Sequence, residues 1–353
     1  MQIETRPLPL VKRRPLTISR GTSAGSENLL VLVSDEGITG MGEFAPVSQA
    51  DPPETADTAR AGLLALAPSL EGVAPWEMQR VEALADAAGL RRAALCALDG
   101  ALHDWAGKKA GVPVWRLLGA DPARIVATSV TVGIQAPDAA AERAREWLAL
   151  GGRGLKIKLG SPEGTDADRA MYAAVREAVP PGTPLRVDAN GGWRAVEEAQ
   201  GMMRWLAERG CEYVEQPLAQ GREDELPALY AGRPLPVFAD ESCRVPSDVP
   251  LLADRVDGVN LKLLKAGGIR AGLRLIHAAR AHGLAVMMGC MSEASLSIAA
   301  GVAISSYADH LDLDSHLNLS PDPFTGLRWE DGRVLPSDAP GLGVTLTEEG
   351  DNA

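Results

Sequence analysis

The stretch 154-GLKIKLG-160 is a short run of the kind that forms a buried strand, yet it sets Lys156 and Lys158 two residues apart and therefore on one face. Two like charges on a buried face are costly and require something to face. The pattern around this stretch decides the fold. From about Ile125 short apolar runs alternate with amphipathic helical stretches, at a repeat of roughly 25 residues. The strand candidates are 125-IVATSVTV-132, 154-GLKIKL-159, 184-PLRVDA-189, 212-EYVEQP-217, 236-PVFADE-241, 257-DGVNLKL-263, 284-LAVMMG-289 and 310-HLDLDS-315. Helices such as 137-PDAAAERAREWLALG-151 and 268-GIRAGLRLIHAARAHG-283 lie between them. Eight β units with helical crossovers predict an α/β fold, a (β/α)8-type parallel barrel over residues 121–325. An open doubly wound sheet fits less well, because no GxGxxG follows the first strand.

Residues 1–120 read as an α+β capping domain. Within it, 28-NLLVLVSDEGITGMGEFAP-46 holds two strand-like runs around the turn 35-DEG-37, and helical stretches follow from about Pro53 to Gly119. Of these, 91-RRAALCALDGALHDWAGKKAG-111 predicts one long packed helix closed by a glycine. Residues 326–353, including 341-GLGVTL-346, are expected to return to the capping domain.

Of the 353 residues 46% are hydrophobic and 23% charged, which excludes a disordered or fibrous chain. A net charge of −12, with scattered Lys and Arg, argues against a nucleic-acid groove, and the basic cluster 12-KRR-14 is too short to make one. Cys96, Cys211, Cys243 and Cys290 lack metal or CxxC spacing and read as reduced thiols. No signal-peptide-length apolar run opens the chain, and 29-LLVLV-33 is far too short to span a bilayer, so a cytoplasmic protein is expected.

Polar residues gather where the strands end, the face on which a barrel carries its site. The second strand offers Lys156 and Lys158, the third Asp188, the fourth Glu215, the fifth Asp240, the sixth Lys262, and the eighth Asp312 and Asp314. A single Asp at a strand end is ordinarily a helix cap. Three carboxylates from consecutive strands converge and repel, and a hard divalent cation, Mg2+, relieves that repulsion. Strands two and six face each other, so Lys158 and Lys262 approach a bound molecule from opposite sides. Such a pair beside a Lewis acid removes a proton from the carbon α to a carboxylate and returns it on the other face. Lys156, nearer the metal sector, is expected to partner the substrate carboxylate. Asp312 and Asp314 stand opposite the metal and would hold an ammonium group, which fits a dipeptide better than a free amino acid. The plainer alternatives are lysines snorkelling at strand ends and a turn at 312-DLD-314. The five histidines share no spacing, and His316 is the one nearest the mouth.

Together these residues resemble the enolase superfamily, its muconate-lactonizing subgroup, and within it the dipeptide epimerases. The resemblance is carried by 40-GMGEFAP-46, 97-ALDGALHDWAGKKAGVPVWRLLG-119, the KxK at Lys156 and Lys158, 187-VDANGGW-193, 214-VEQPL-218, 239-ADES-242, 260-NLKLLKAGGI-269 and 289-GCMSEASLSIAAG-301. It implies a Mg2+-dependent isomerase that moves a proton at the α carbon of the C-terminal residue of a dipeptide. L-Ala-D/L-Glu is the leading substrate, with a role in murein peptide recycling. The implied metal ligands are Asp188, Glu215 and Asp240, the acid/base pair is Lys158 and Lys262, and Asp312 and Asp314 hold the ammonium. Thr131 lines the pocket, and the loop 19-SRGTSAGSE-27 selects the side chain. Ser23 and Ala24 stand where some Ala-Glu epimerases carry a second arginine, leaving Arg20 to meet an acidic side chain. The same scaffold serves N-acylamino-acid racemases and muconate-type cycloisomerases, and related proteins often form homo-oligomers. A metal-binding sensor without turnover is disfavoured by the presence of both lysines. The implied partner is a small-molecule dipeptide, with neither nucleic acid nor membrane.

Overall fold

The computed structural model describes residues 1–347. The chain opens with an antiparallel sheet of β1 (Gln2–Ile18), β2 (Gly21–Asp35) and β3 (Ile38–Phe44), in that order. Glu36 and Gly37, both at positive φ (49° and 75°), make the two-residue turn that the right-handed twist of a hairpin favours. The expected long helix spans Arg92–Ala110 and closes on Gly111 at φ 71°. It lies directly on β3. A Cβ at Gly42 would sit 1.9 Å from the Ala97 carbonyl oxygen, so only glycine permits this approach.

β1 was not legible in the sequence. Pro7, Pro9 and Pro15 and the basic run 12–14 hide its apolar residues. The segment 19–27, expected as a loop, is the turn Ser19–Arg20 followed by the start of β2. No residue of 11–27 is fully buried, so the far half of this ribbon needs no strict apolar alternation, and a bulge between Val11 and Leu16 bends it.

All eight barrel strands form where the sequence placed them: β4 (Ser129–Val132), β5 (Gly154–Lys158), β6 (Leu185–Asp188), β7 (Cys211–Glu215), β8 (Val237–Ala239), β9 (Gly258–Leu261), β10 (Ala285–Gly289) and β11 (His310–Asp312). They pair in parallel, in sequence order. A bridge between Thr128 and Leu311 joins the last strand to the first, supported by a 2.7 Å hydrogen bond from the Leu313 amide to Thr128 Oγ1. The fold is therefore a nearly closed (β/α)8 barrel with an N-terminal sheet domain. One apolar core runs through both, from Leu29–Val33 of β2 to the barrel strands.

Beyond the barrel, Phe324–Thr325 pairs with Thr345–Leu346, and Gly341 bridges to Pro113. The Leu342 amide donates to Asp104 Oδ1 at 2.7 Å, which ties this segment to the long helix of the N-terminal domain. No disulfide forms among the described residues: Cys96, Cys211 and Cys243 are buried thiols and Cys290 is half-buried. No described helix is long and apolar enough to cross a membrane.

Candidate active site

Register builds the site. In the parallel ladders Lys158 pairs with Asp188 and Asp188 with Glu215, so three adjacent strands end in polar side chains at one level. Asp240 follows the last residue of β8, and Lys262 follows the last residue of β9. Asp188, Glu215 and Asp240 are buried, and each offers a carboxylate oxygen within 4.8 Å of the others.

The opposed lysines reach this cluster from its two flanks. Lys158 Nζ donates to Asp188 Oδ2 at 2.6 Å, and Lys262 Nζ donates to Asp240 Oδ2 at 2.8 Å. They keep 8% and 7% exposure, whereas Lys156 has 0%, so only the outer pair is open to a bound molecule. Lys156 lies one layer deeper, 2.6 Å from Asp312 Oδ2, 2.7 Å from Glu215 Oε2 and 3.3 Å from Asp188 Oδ2. Its charge is thus taken up by protein carboxylates.

On the opposite side, Asp314 Oδ2 accepts from the Thr131 amide at 2.6 Å, which brings β4 and the end of β11 together. Asp312 Oδ1 is buried without a hydrogen-bond partner, an acceptor left for a donor from outside. Arg20 sits at the tip of the β1–β2 hairpin, folded over the mouth. Its Nη2 lies 2.8 Å from Glu241 Oε1, and its Nη1 donates to the Asn190 carbonyl at 2.9 Å. His316 is buried, with its Nδ1 unpartnered, and burial pushes its pKa down to about 4.

Four residues without a part in the sequence reading complete the site. Asn190 grips Asp188 twice, from its amide to Oδ1 at 2.7 Å and from Nδ2 to Oδ2 at 3.0 Å. Lys265 donates to Asp240 Oδ1 at 2.6 Å and to the carbonyls of Cys243 and Asn260 at 2.9 and 3.2 Å. Asn260 Nδ2 donates to Glu215 Oε1 at 2.8 Å, and Glu241 takes Arg20. The signals were present: Asn260 lies two before Lys262 on one strand face, and Lys265 one helical turn after it.

The charges are strongly coupled. Burial opposes ionisation of Asp188, but Lys158 and Lys156 outweigh it and bring the pKa down to about 2. Glu215 moves the other way, up to about 7, because burial and repulsion from Asp188 exceed the help of Lys156. Burial disfavours charged Lys262, yet Asp240, Glu241 and Glu215 overcome it and hold its pKa above the ordinary lysine range. Asp314 rises to about 6 through burial and the neighbouring Asp312.

Six buried carboxylates at this mouth, Asp188, Glu215, Asp240, Glu241, Asp312 and Asp314, meet five cations, the buried Lys156, Lys158, Lys262 and Lys265 together with Arg20 on Glu241. Glu215 Oε2 accepts no hydrogen bond although Lys156 is close. A compact all-oxygen donor set with one carboxylate oxygen left without a hydrogen bond fits a hard divalent cation.

A parallel barrel whose C-terminal mouth carries two opposed lysines on three clustered carboxylates defines an acid–base enzyme. The comparisons with known proteins agree. Residues 2–119 match the mandelate racemase/muconate lactonizing enzyme N-terminal domain, and residues 139–350 match the enolase C-terminal domain-like family. The chain belongs to the mandelate racemase/muconate lactonizing enzyme family of the enolase superfamily. A hydrophobic dipeptide epimerase of Roseobacter litoralis is 51% identical over 98% of this chain and 99% of its own length. An L-Ala-D/L-Glu epimerase of Bacteroides thetaiotaomicron is 33% identical over 98% of this chain and 88% of its own. The crystal structure of a dipeptide epimerase from Enterococcus faecalis V583, complexed with Mg and the dipeptide L-Leu-L-Tyr, superposes with a TM-score of 0.91 at 31% identity, covering 98% of this chain and 99% of that one.

Proposed function

We propose that this chain is a Mg2+-dependent isomerase that epimerises the C-terminal residue of a dipeptide, preferring an apolar side chain there. The observation that carries the reading is the placement of Lys158 and Lys262 on opposite flanks of one carboxylate cluster. Asp188, Glu215 and Asp240 would hold the cation. When bound, it would supply a Lewis acid for the substrate carboxylate and offset the carboxylate field of Asp240, Glu241 and Glu215 that holds Lys262 protonated. Lys158 and Lys262 each serve one face of the α carbon: one takes the proton, the other returns one, and the roles exchange in the reverse direction. Asp312 and Asp314 hold the α-ammonium, Asp314 being fixed by the Thr131 amide. Lys156 balances Asp188, Glu215 and Asp312 from below.

Two observations favour an apolar C-terminal residue over glutamate. Arg20, the cation expected to meet an acidic side chain, is engaged by Glu241 and the Asn190 carbonyl. The relative at 51% identity is named for hydrophobic dipeptides. On this reading L-Ala-D/L-Glu, and with it murein peptide recycling, is the secondary assignment. Incubating the protein with Mg2+ and a dipeptide panel in D2O tests both points by α-deuterium incorporation. L-Ala-L-Leu and L-Ala-L-Phe should exchange faster than L-Ala-L-Glu. Exchange in no dipeptide would remove the epimerase reading, and a preference for glutamate would remove the apolar one.

A further inference from the structure

The hairpin tip is wired to the carboxylate layer through residues that are not themselves ligands. Ser19 Oγ and Arg20 Nη1 both donate to the Asn190 carbonyl, at 3.0 and 2.9 Å. Asn190 in turn holds both oxygens of Asp188. Its backbone lies in the left-handed region, at φ 43°, which asparagine adopts more readily than other side chains and which turns its carbonyl toward the hairpin tip. The other branch of the Arg20 fork pairs with Glu241, which adjoins Asp240 in the chain and lies 3.4 Å from Asn190 Nδ2. One guanidinium thus spans the two segments that carry Asp188 and Asp240.

The two sides of this contact differ in freedom. Asn190 and Glu241 are 5% and 8% exposed, while the Arg20 side chain is 37% exposed. An open cleft of about 390 Å³, lined by Gln49, Asn190, Gln216 and Glu241 among others, gives solvent access to the pair. The tip could lift without disturbing the barrel core, because the ribbon is separately anchored by the Lys12–Leu319 bridge and a 2.8 Å hydrogen bond from the Ile134 amide to the Thr17 carbonyl.

We propose that Arg20 is a positioning residue that couples the closed hairpin to the geometry of Asp188 and Asp240. A divalent cation then binds more tightly with the tip seated, and the tip is held more firmly with the cation bound. The two effects are equal by linkage. The proposal rests on the cation assignment above, and it gives Arg20 a part other than substrate contact. A planar fork suits this role, since it meets a carboxylate and a carbonyl together where an ammonium meets them less rigidly. If Arg20 made only an ordinary surface ion pair, its removal would change almost nothing.

The test needs no turnover. Mg2+ binding to the substrate-free protein is measured by calorimetry for wild type, Arg20→Ala, Arg20→Lys and Ser19→Ala, with amide hydrogen exchange over residues 16–24 followed with and without metal. Arg20→Ala should weaken Mg2+ binding about tenfold, the scale on which supporting residues tune a metal site. Arg20→Lys and Ser19→Ala should fall between it and wild type. Mg2+ should slow exchange at the wild-type tip and leave the Arg20→Ala tip unchanged. Equal Mg2+ affinity in wild type and Arg20→Ala, or wild-type tip exchange indifferent to Mg2+, overturns the coupling alone. A wild-type protein that binds no Mg2+ overturns the cation assignment, and the coupling with it.

Discussion

Replacing Lys156 by methionine probes the charge balance on which the site rests. The residue is 0% exposed, and its ammonium lies within 3.3 Å of carboxylate oxygens of Asp188, Glu215 and Asp312. Methionine keeps most of the volume, so charge is lost more than packing. Removing one partner of a buried ion pair costs about 3–5 kcal/mol, because the surviving charge is left uncompensated. An unfolding entropy of roughly 2.1 cal/mol/K per residue gives about 0.74 kcal/mol/K for 353 residues. Lys156→Met should therefore lower Tm by about 4–7 °C in EDTA. The pH dependence has a definite sign. Glu215 already sits at about 7, and losing Lys156 pushes it higher. An acid with a raised folded pKa contributes stability that is present at low pH and lost as pH rises through that value. The deficit should thus widen between about pH 6 and pH 8 and narrow below, as Glu215 takes up a proton. Scanning calorimetry at one fixed scan rate is the assay. A Tm within about 1 °C of wild type at pH 8 in EDTA would refute the reasoning.

Two further perturbations read other charges. Asp314, raised to about 6, must be ionised to grip an ammonium, so kcat/KM for a dipeptide should fall as pH drops through about 6. Asp314→Asn should lose that acid limb and raise KM about tenfold or more, as expected when a charge-assisted hydrogen bond is removed; superimposable pH profiles would exclude it from the grip. Glu43 lies at the interface with the barrel, accepting from the Ala294 and Ser297 amides, and burial pushes it from 4.5 to about 8. At 1.36 kcal/mol per unit it contributes at most about 4–5 kcal/mol below pH 4.5, lost as pH rises to about 8. Glu43→Gln should flatten Tm against pH over that window, and an unchanged slope would mean that Glu43 titrates normally.

The barrel and its carboxylates were legible because each obeys a strong local rule. Asp188, Glu215 and Asp240 end consecutive apolar strands, and period-two alternation fixes which way Lys156 and Lys158 point. What alternation does not supply is depth. Lys156 and Lys158 share a face, yet one is enclosed by Asp312 and Glu215 and the other keeps an opening, a difference set by neighbouring strands. β1 and the tip half of β2 are not legible for the converse reason: Pro7, Pro9, Pro15 and the basic run 12–14 break the hydrophobic period, and the tip's partners Asn190 and Glu241 lie more than a hundred residues away. Lys265 was visible inside the KxxK of 262–265 but had no assigned task, since its hold on Asp240 depends on the short helix Leu263–Ala266 turning it back toward β8.

Stereospecific exchange by the single-lysine variants tests the central claim most directly. In D2O with Mg2+ and the two C-terminal epimers of an apolar dipeptide, Lys158→Ala and Lys262→Ala should each keep α-deuterium exchange with one epimer only. They should choose opposite epimers, with the lost exchange slower by about 10²–10⁴-fold and epimerisation lost to the same degree. Exchange of the same epimer by both variants, or epimerisation at the wild-type rate by either, would contradict the account.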